Sequence, residues 1–294
     1  ILYRSPALII GAFDCPRRHP AFHDSGPAGG DLVVFPRHAV YIKHPNRQPI
    51  LADQRVVTLY NRKQHYRREA VAEYGDYSVW FHFPRARLIA AMESGGWTHA
   101  ALERTPFLDP FGRIDNPGFL RQRLLHEYLL NPREHDALLV EETALLLLAD
   151  LLRTQSQNPR VTSSPSVTVR RQRDQVAHCL DIISRRWDQN LKLDALAKEV
   201  ACSPFHLARI FKKHTGQTIH QCLLELRLRN SLDEMFESPA RRLTDLSLDS
   251  GFATPSHFTQ QFRRAFGSSP DRIRRSGRRP NAWRSLMTAT SSAQ

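Results

Sequence analysis

The sequence predicts a two-domain α+β protein in which a sheet or small barrel with helices precedes an all-α domain. From residue 31 the chain runs through short apolar segments broken by Pro, Asn-Arg and Gly-Asp, a pattern typical of antiparallel strands. After residue 173 the apolar residues recur every three or four positions, which indicates amphipathic helices. Between these parts, residues 154–173 are polar, hold two prolines and lack an apolar period, which is typical of a linker.

The N-terminal domain is expected over residues 1–155. Its predicted strands are "DLVVFP", "AVYIKH", "RVVTLY" and "YSVWFHF", and its predicted helices are "GFLRQRLLHEYLL" and "REHDALLVEETALLLLADLLR". A linker over 156–172, a helical domain over 173–280 and a C-terminal tail over 281–294 complete the expected organisation.

The composition fits two packed domains in a reducing compartment. The chain has 294 residues, of which 41% are hydrophobic, and this is enough for two cores. No run of about 18 apolar residues occurs, so no segment is expected to span a membrane. The first residues lack the pattern of a secretory signal. The four cysteines are scattered without a C-x-x-C pair, which favours reduced thiols and a cytoplasmic location.

An internal repeat is the strongest signal in the chain. The stretch "SPFHLARIFKKHTG" returns as "TPSHFTQQFRRAFG", with Pro204 matching Pro255 at a spacing of 51 residues. In each copy a capping hydroxyl precedes a proline at the first helical position, and a glycine ends the helix. The helix in front repeats as well, and Gly251 lies in a second turn that is one residue longer. Such helix pairs are typical of the helix-turn-helix motif.

A long helix is predicted between the two copies, with Leu224, Leu228, Leu232 and Met235 on one face. The predicted helices of the domain cover residues 173–187, 193–201, 204–214, 218–236, 243–250 and 255–266, with a short one near 270–275. If the long helix holds two recognition helices about 34 Å apart, they can enter successive major grooves. A single chain then reads an asymmetric DNA site.

The charge distribution supports a nucleic-acid partner. The chain carries a formal net charge of +13, and residues 170–280 hold 21 Lys and Arg against 12 Asp and Glu. A basic surplus on the helical part is the electrostatic pattern of a phosphate-binding module.

Two segments, "LDALAKEVACSPFHLARIFKKHTG" and "LSLDSGFATPSHFTQQFRRAFGSSPDRIR", closely resemble the AraC/XylS family of bacterial transcriptional regulators. The resemblance covers about a hundred C-terminal residues. It implies a cupin-like N-terminal sensor barrel, two helix-turn-helix modules and sequence-specific regulation of transcription. The implied partners are double-stranded DNA, a small-molecule effector and, as an open option, RNA polymerase. It implies no catalytic residue, no metal and no cofactor, and it transfers no effector-binding residue.

The resemblance also places the DNA contacts. Base contacts are expected from Phe205, His206 and Arg209 in the first module and from Ser256, His257 and Gln260 in the second. Arg209 suits guanine and Gln260 suits adenine, although the family often has Arg at the latter position. Phosphate contacts are expected from Lys212, Lys213, Arg263 and Arg264. The two histidines either touch DNA or cap a neighbouring helix. Ser247 stands where the family usually has Ala, at the crossing of two helices.

The last N-terminal helix has more apolar surface than one core needs. Leu138, Leu145, Leu148 and Leu152 are expected on one side, broadened by neighbouring leucines. A helix apolar over that much of its circumference buries two faces. One face is therefore expected in a homodimer interface, with a wholly intramolecular helix as the alternative.

The alternative hypothesis is that the N-terminal domain is a metal- or thiol-dependent enzyme, which the helical region targets to DNA. Cys15, His19 and His23 are spaced i, i+4, i+8 and form an incomplete zinc-ligand set. The other histidines of this part form no H-x-H pair, which a cupin metal site favours. A third hypothesis is a chromosome-structuring protein without sequence preference, which would bind DNA mainly through phosphates.

Overall fold

The computed structural model describes residues 1–277 except 46, 72, 74, 95–104, 132–134 and 157–166. The chain divides into two compact units, one of residues 1–158 with 272–294 and the other of residues 159–271. The predicted C-terminal tail, 281–294, and most of the predicted linker lie outside the described residues. No helix of the described part is both long and apolar enough to cross a membrane.

The N-terminal unit is built on antiparallel strands. In the described part, strand order is β1-β2-β8-β3-β6-β9 in a six-stranded sheet and β5-β4-β7 in a three-stranded sheet. The bounds are β1 Tyr3–Arg4, β2 Ile9–Cys15, β3 Leu32–Pro36, β4 Val40–Lys43, β5 Ile50–Ala52, β6 Val57–Tyr60, β7 Arg67–Ala70, β8 Asp76–His82 and β9 Phe111–Gly112. The four predicted strands are confirmed as β3, β4, β6 and β8. The pattern missed β2, which pairs with β8 along its whole length.

The register of the larger sheet separates an apolar row from a mixed one. Phe81 of β8 lies opposite Ile10 of β2 and Val33 of β3, and all three are buried. The adjacent residue, Trp80, lies opposite Gly11 and Val34 on the other face. Because side chains alternate between the faces of a strand, one face of the sheet is lined by core residues, and the other face carries the row that contains Trp80.

Helices α1 (Arg85–Ser94), α2 (Asn116–Leu130) and α3 (Ala137–Ser156) accompany the sheets. The Asp115 side chain caps α2 by accepting a hydrogen bond from the amide of Gly118 at 2.8 Å. An ion pair links α2 to α3, with Arg121 Nη1 2.5 Å from Asp150 Oδ2. The Arg121 side chain is almost fully buried, so this carboxylate compensates much of the desolvation of the guanidinium.

The expected leucine face of α3 is wrong for two of its four members. Leu148 and Leu152 are buried inside the unit, at 2% and 4% exposure, whereas Leu138 and Leu145 are 76% and 39% exposed. The four leucines lie on the border between the buried and exposed faces of the helix. Near its C-terminal end, α3 packs against β9, and the Thr154 hydroxyl donates to the carbonyl of Arg113 at 2.8 Å. This contact encloses the later pair of leucines.

The second unit is helical, and its predicted helices are confirmed. They are α4 Val167–Arg185, α5 Leu193–Glu199, α6 Pro204–Thr215, α7 Ile219–Glu237, α8 Leu243–Asp249, α9 Pro255–Phe266 and α10 Pro270–Gly277, the last of which extends beyond this unit. The predicted linker is wrong over residues 167–172, which form the first turns of α4. These residues are mostly exposed, so they lack the apolar period by which the rest of α4 was recognised.

The helix caps follow the repeat. The Ser203 hydroxyl accepts a hydrogen bond from the amide of His206, and the Thr254 hydroxyl accepts one from His257, both at 3.2 Å. Gly267 ends α9 in the left-handed conformation with φ +70°. These local signals begin and end α9 independently of its packing, because capping satisfies backbone groups that the helix leaves unpaired.

Gly251 has two reasons to be glycine, whereas Gly267 has one. Both have positive φ, but a Cβ on Gly251 would lie 2.7 Å from the Asp188 carbonyl oxygen, and a Cβ on Gly267 would meet nothing within 4 Å. We expect Gly267→Ala to lower the free energy of unfolding by about 1 kcal/mol through backbone strain alone. Gly251→Ala should cost roughly 1–3 kcal/mol more, because the added methyl group must displace backbone.

Urea unfolding of both variants beside the parent measures this difference. Equal stability losses in the two variants would contradict the close packing of the second turn.

Candidate nucleic-acid interface

Two helix pairs of the C-terminal unit, α5–α6 and α8–α9, have the same turn geometry. The amide of Cys202 donates to the carbonyl of Ala197 at 3.0 Å, and the amide of Phe252 donates to that of Ser247 at 3.1 Å. Ala201, with φ +52°, corresponds to Gly251, with φ +78°. Both turns therefore pass through the left-handed region at the same step, although the second turn has one more residue before the next helix begins.

Small residues let the two helices of each pair cross closely. Ala197 and Ser247 occupy equivalent positions and are 1% and 0% exposed. The Ser247 hydroxyl donates to the carbonyl of Thr244 at 2.7 Å, so its burial leaves no unsatisfied donor. Serine is therefore accommodated at this buried position, and the expectation that it preserves the crossing angle stays a prediction.

Helix α6 presents a polar and basic face with one exposed aromatic ring. Phe205 is 81% exposed in the first turn of the helix, and Arg209 one turn later is exposed as well. His206 is half-buried, and its Nδ1 atom lies 3.5 Å from Nη2 of Arg209. Lys212 and Lys213 are exposed in the last turn. A large apolar side chain held in solvent beside basic groups is typical of a contact surface.

Helix α9 repeats this arrangement over an aromatic core. Phe258, Phe262 and Phe266 are buried, and consecutive rings lie 5.4 Å and 4.6 Å apart. The opposite face exposes the predicted contact residues Ser256, His257, Gln260, Arg263 and Arg264. The His257 ring also lies 5.8 Å from the buried Phe252 ring, edge to face. The ring is therefore exposed and also packs against the turn, and a DNA contact by His257 stays a prediction.

The pKa values of two groups near the first pair, His214 and Cys202, are shifted in the direction that favours the neutral form. Burial lowers the pKa of His214, and the nearby charges of Lys213 and Arg173 lower it further. Burial raises the pKa of the Cys202 thiol, which is half-buried in the turn rather than in the core. A protonated thiol is a poor nucleophile.

Sequence reasoning missed Arg227 of α7. Its guanidinium donates to three backbone carbonyls, those of Trp187 at 2.8 Å, Gln189 at 2.7 Å and Gly251 at 2.7 Å. Arg227 lies beside the leucine stripe of α7, at a position where an arginine side chain is ordinarily exposed to solvent. Nothing in the sequence indicated that two loops converge on it.

The mixed face of the N-terminal sheet opens on a cavity of about 450 Å³. The side chains that line it are largely those of the Trp80 row and its neighbours: Ile9, Phe13, Leu32, Val34, Tyr60, Tyr66, Asp76, Ser78, Trp80 and His82. Trp80 packs on Gly11, where a Cβ would lie 2.3 Å from the indole ring. His82 Nδ1 lies 3.2 Å from the Asp31 carbonyl, and because a carbonyl oxygen only accepts, Nδ1 is the donor in this hydrogen bond.

The carboxylate in this cavity is held by a buried arginine. Arg68 Nη1 lies 3.0 Å from Asp76 Oδ2, and the same guanidinium lies over the Phe13 ring at 4.6 Å. Burial raises the pKa of Asp76, and the hydrogen bond and charge of Arg68 oppose that shift. The polar end of the cavity is thus preorganised by the protein itself.

The zinc-ligand set considered for Cys15, His19 and His23 is not assembled. Cys15 ends β2, and residues 16–23 form turns, so the helical spacing assumed for the three residues is wrong. His19 Nδ1 accepts from the amide of Ala21 at 3.1 Å, and His23 Nδ1 lies 3.1 Å from the Arg68 carbonyl. Within the described part, no group of three or more His, Cys, Asp and Glu residues is placed to hold a metal ion.

The geometry of the helix pairs defines a helix-turn-helix domain, and a family model of that description matches residues 196–276. The regulatory protein SoxS of Salmonella typhimurium is 30% identical over 95 residues, which are 32% of this chain and 88% of SoxS. The transcriptional regulator GlxA of Rhizobium meliloti is 32% identical over 88 residues, 30% of this chain and 27% of GlxA. The chain belongs to the AraC/XylS family of bacterial transcriptional regulators.

The similarity covers about a third of this chain in these relatives, and it spans only about a quarter of the length of GlxA. Among solved structures, an AraC-type transcriptional regulator from Chromobacterium violaceum is 23% identical, over 37% of this chain and 96% of that one. Its TM-score is 0.34, too low to support an inference about the whole chain.

On α6, the removal of a base contact and the removal of a phosphate contact are expected to change DNA binding in different ways. Arg209→Ala should cost roughly 1–3 kcal/mol of binding free energy and relax preference at one base pair. Lys213→Ala should weaken binding about evenly across sequences and reduce the salt slope by about one unit. Binding to a set of single-base variants at several salt concentrations separates the two. Identical profiles for the two variants would contradict the assignment.

Proposed function

We propose that this protein regulates transcription by binding a specific double-stranded DNA site through two helix-turn-helix modules. The observation that carries the proposal is the repeated turn, which presents two helices with exposed polar and basic faces in one compact unit. The relatives named above are regulators, and the family model matches residues 196–276, which include most of the first helix pair and all of the second. Each of α6 and α9 then enters a major groove as a recognition helix.

The chemistry of the exposed side chains suits base reading on both helices. Arg209 pairs with guanine through two hydrogen bonds, Gln260 pairs with adenine, and Phe205 packs on a thymine methyl group. His206, Ser256 and His257 complete the base-reading set. Lys212, Lys213, Arg263 and Arg264 bind phosphates, which sets the register on the duplex without reading sequence.

The N-terminal unit is proposed to be a cupin-like sensor. Its two antiparallel sheets and the cavity on the Trp80 face support the binding of a small organic effector. Aromatic walls and a few fixed polar groups are the usual lining of such sites. The proposal includes a cytoplasmic location, where regulators meet DNA and RNA polymerase. It leaves activation and repression open.

A homodimer through α3 is also part of the proposal. Leu138, Leu145 and Leu146 are exposed on this helix, at 76%, 39% and 38%. Three leucines in solvent at this spacing favour a partner helix. The dimer face is thus narrower than the sequence predicted and excludes Leu148 and Leu152.

A selection from random duplexes tests the regulator. The full chain should enrich a site with two preferred blocks about 10 base pairs apart, one for each recognition helix. The matched control combines Arg209→Ala with Gln260→Ala, which keeps the phosphate-binding residues and should bind DNA with relaxed preference at the two base pairs that these side chains read. If the parent enriches nothing at physiological salt, the proposed function is wrong.

The dimer has its own test in a pair of glutamate variants. Leu145→Glu should give a folded monomer, because the charge disrupts only the interface between chains. Leu148→Glu should instead unfold the domain, since a buried unpaired carboxylate costs several kcal/mol. Sedimentation and thermal melting of both variants check this. A parent chain that sediments as a monomer at tens of micromolar would count against the dimer.

A further inference from the structure

Arg227 joins the segments that position the two recognition helices. It lies on α7, between the two helix pairs. The carbonyls of Trp187 and Gln189 belong to the loop that leads from α4 into α5, and that of Gly251 belongs to the turn that aims α9. One side chain therefore holds the entrance to the first pair and the turn of the second.

The planar fork of arginine suits this position in a way that a point charge does not. Its N–H groups diverge at fixed angles and can bind several acceptors at once, whereas a lysine ammonium has a single nitrogen. Nε, Nη1 and Nη2 of Arg227 each donate to a different carbonyl at 2.7–2.8 Å. Every nitrogen of the group is engaged with backbone, which distinguishes Arg227 from the exposed lysines of α6.

The second turn also packs directly on the same loop. A Cβ at Gly251 would lie 2.8 Å from Arg227 Cζ and 2.7 Å from the Asp188 carbonyl oxygen. The absence of a side chain lets the Gly251 carbonyl reach the guanidinium, while the left-handed φ of +78° turns the chain toward α9. The loop, Arg227 and the second turn are therefore in mutual contact. A displacement of any one of them requires the other two to move.

We propose that Arg227 is a positioning residue that sets the distance between the two DNA segments read by α6 and α9. This proposal rests on the proposed function. Two linked helices bind DNA more tightly together than either alone only if their separation matches the one-turn repeat of the duplex, about 34 Å. Without the three hydrogen bonds, each module still reads its own bases, but the chain no longer favours one spacing.

The experiment uses variants of the whole chain that distinguish the hydrogen-bonding geometry of the Arg227 guanidinium from its positive charge. Arg227→Lys keeps the charge without the fork, and Arg227→Met keeps the aliphatic stem without donors. The matched control is Arg242→Ala, because Arg242 is exposed and bonds to Asp245 within the start of α8. Affinity is measured on the selected site and on duplexes in which the two blocks are moved closer or further apart by one and two base pairs.

The parent and Arg242→Ala should bind one spacing best, with a steep loss on either side. Both Arg227 variants should lose about tenfold at the best spacing and little at the others, so that the profile flattens. An equal loss at every spacing would overturn the proposal, because it would indicate general destabilisation. Recovery in Arg227→Lys would overturn it as well, because charge alone would then suffice, as in a phosphate contact.

Amide hydrogen exchange supplies a measurement that needs no DNA. In Arg227→Met, exchange should accelerate at residues 187–191 and 250–253, while α6 and α9 keep the protection of the parent. Unchanged exchange at these segments would overturn the proposal even if DNA binding fell. If the parent selects a site but the variants keep its spacing profile, only the positioning role fails. If the parent selects no site, the regulator and the spacing role fail together.

Discussion

The tight left-handed turn between two helices is the constraint on which the DNA-facing surface depends. In the second pair this turn passes through Gly251, and Phe252 beside it is buried at 4% exposure against the Phe258 ring. The ring fixes the angle of α9, and the glycine lets the turn approach the Asp188 carbonyl. The exposed face of α9 is therefore oriented by packing on its buried side and at its turn.

In both units, the periodicity of the secondary structure places core residues on one face of an element and exposed or cavity-lining residues on the other. On α9 the i, i+4, i+8 phenylalanines form the core, and the intervening positions carry Gln260 and the arginines. On β8 the alternation places Phe81 in the core and Trp80 in the cavity. On β8 a shift of one position would exchange the two surfaces, and on α9 it would rotate the phenylalanines out of the core by about 100°. The strict caps of the helix and the long pairing of β2 with β8 prevent that shift.

Buried and half-buried arginines act in this protein as connectors between segments. Arg68 joins the Asp76 carboxylate to the backbone of residues 21 and 22, Arg121 joins α2 to α3, and Arg227 joins two loops of the helical unit. A buried guanidinium must find partners for its N–H groups, and several of them arranged in a plane select one geometry. Such contacts specify an arrangement more than they raise the free energy of unfolding.

The sequence by itself determined the helices of the C-terminal unit, their caps and the exposed positions on α6 and α9. These features depend on local rules, namely capping hydroxyls, proline, glycine and the apolar period. Tertiary structure decided the rest: the role of Arg227, the burial of Leu148 and Leu152, the cavity beside Trp80 and the dispersal of Cys15, His19 and His23. Each depends on segments distant in the chain, and a local pattern carries no information about which distant backbone or strand will lie against it.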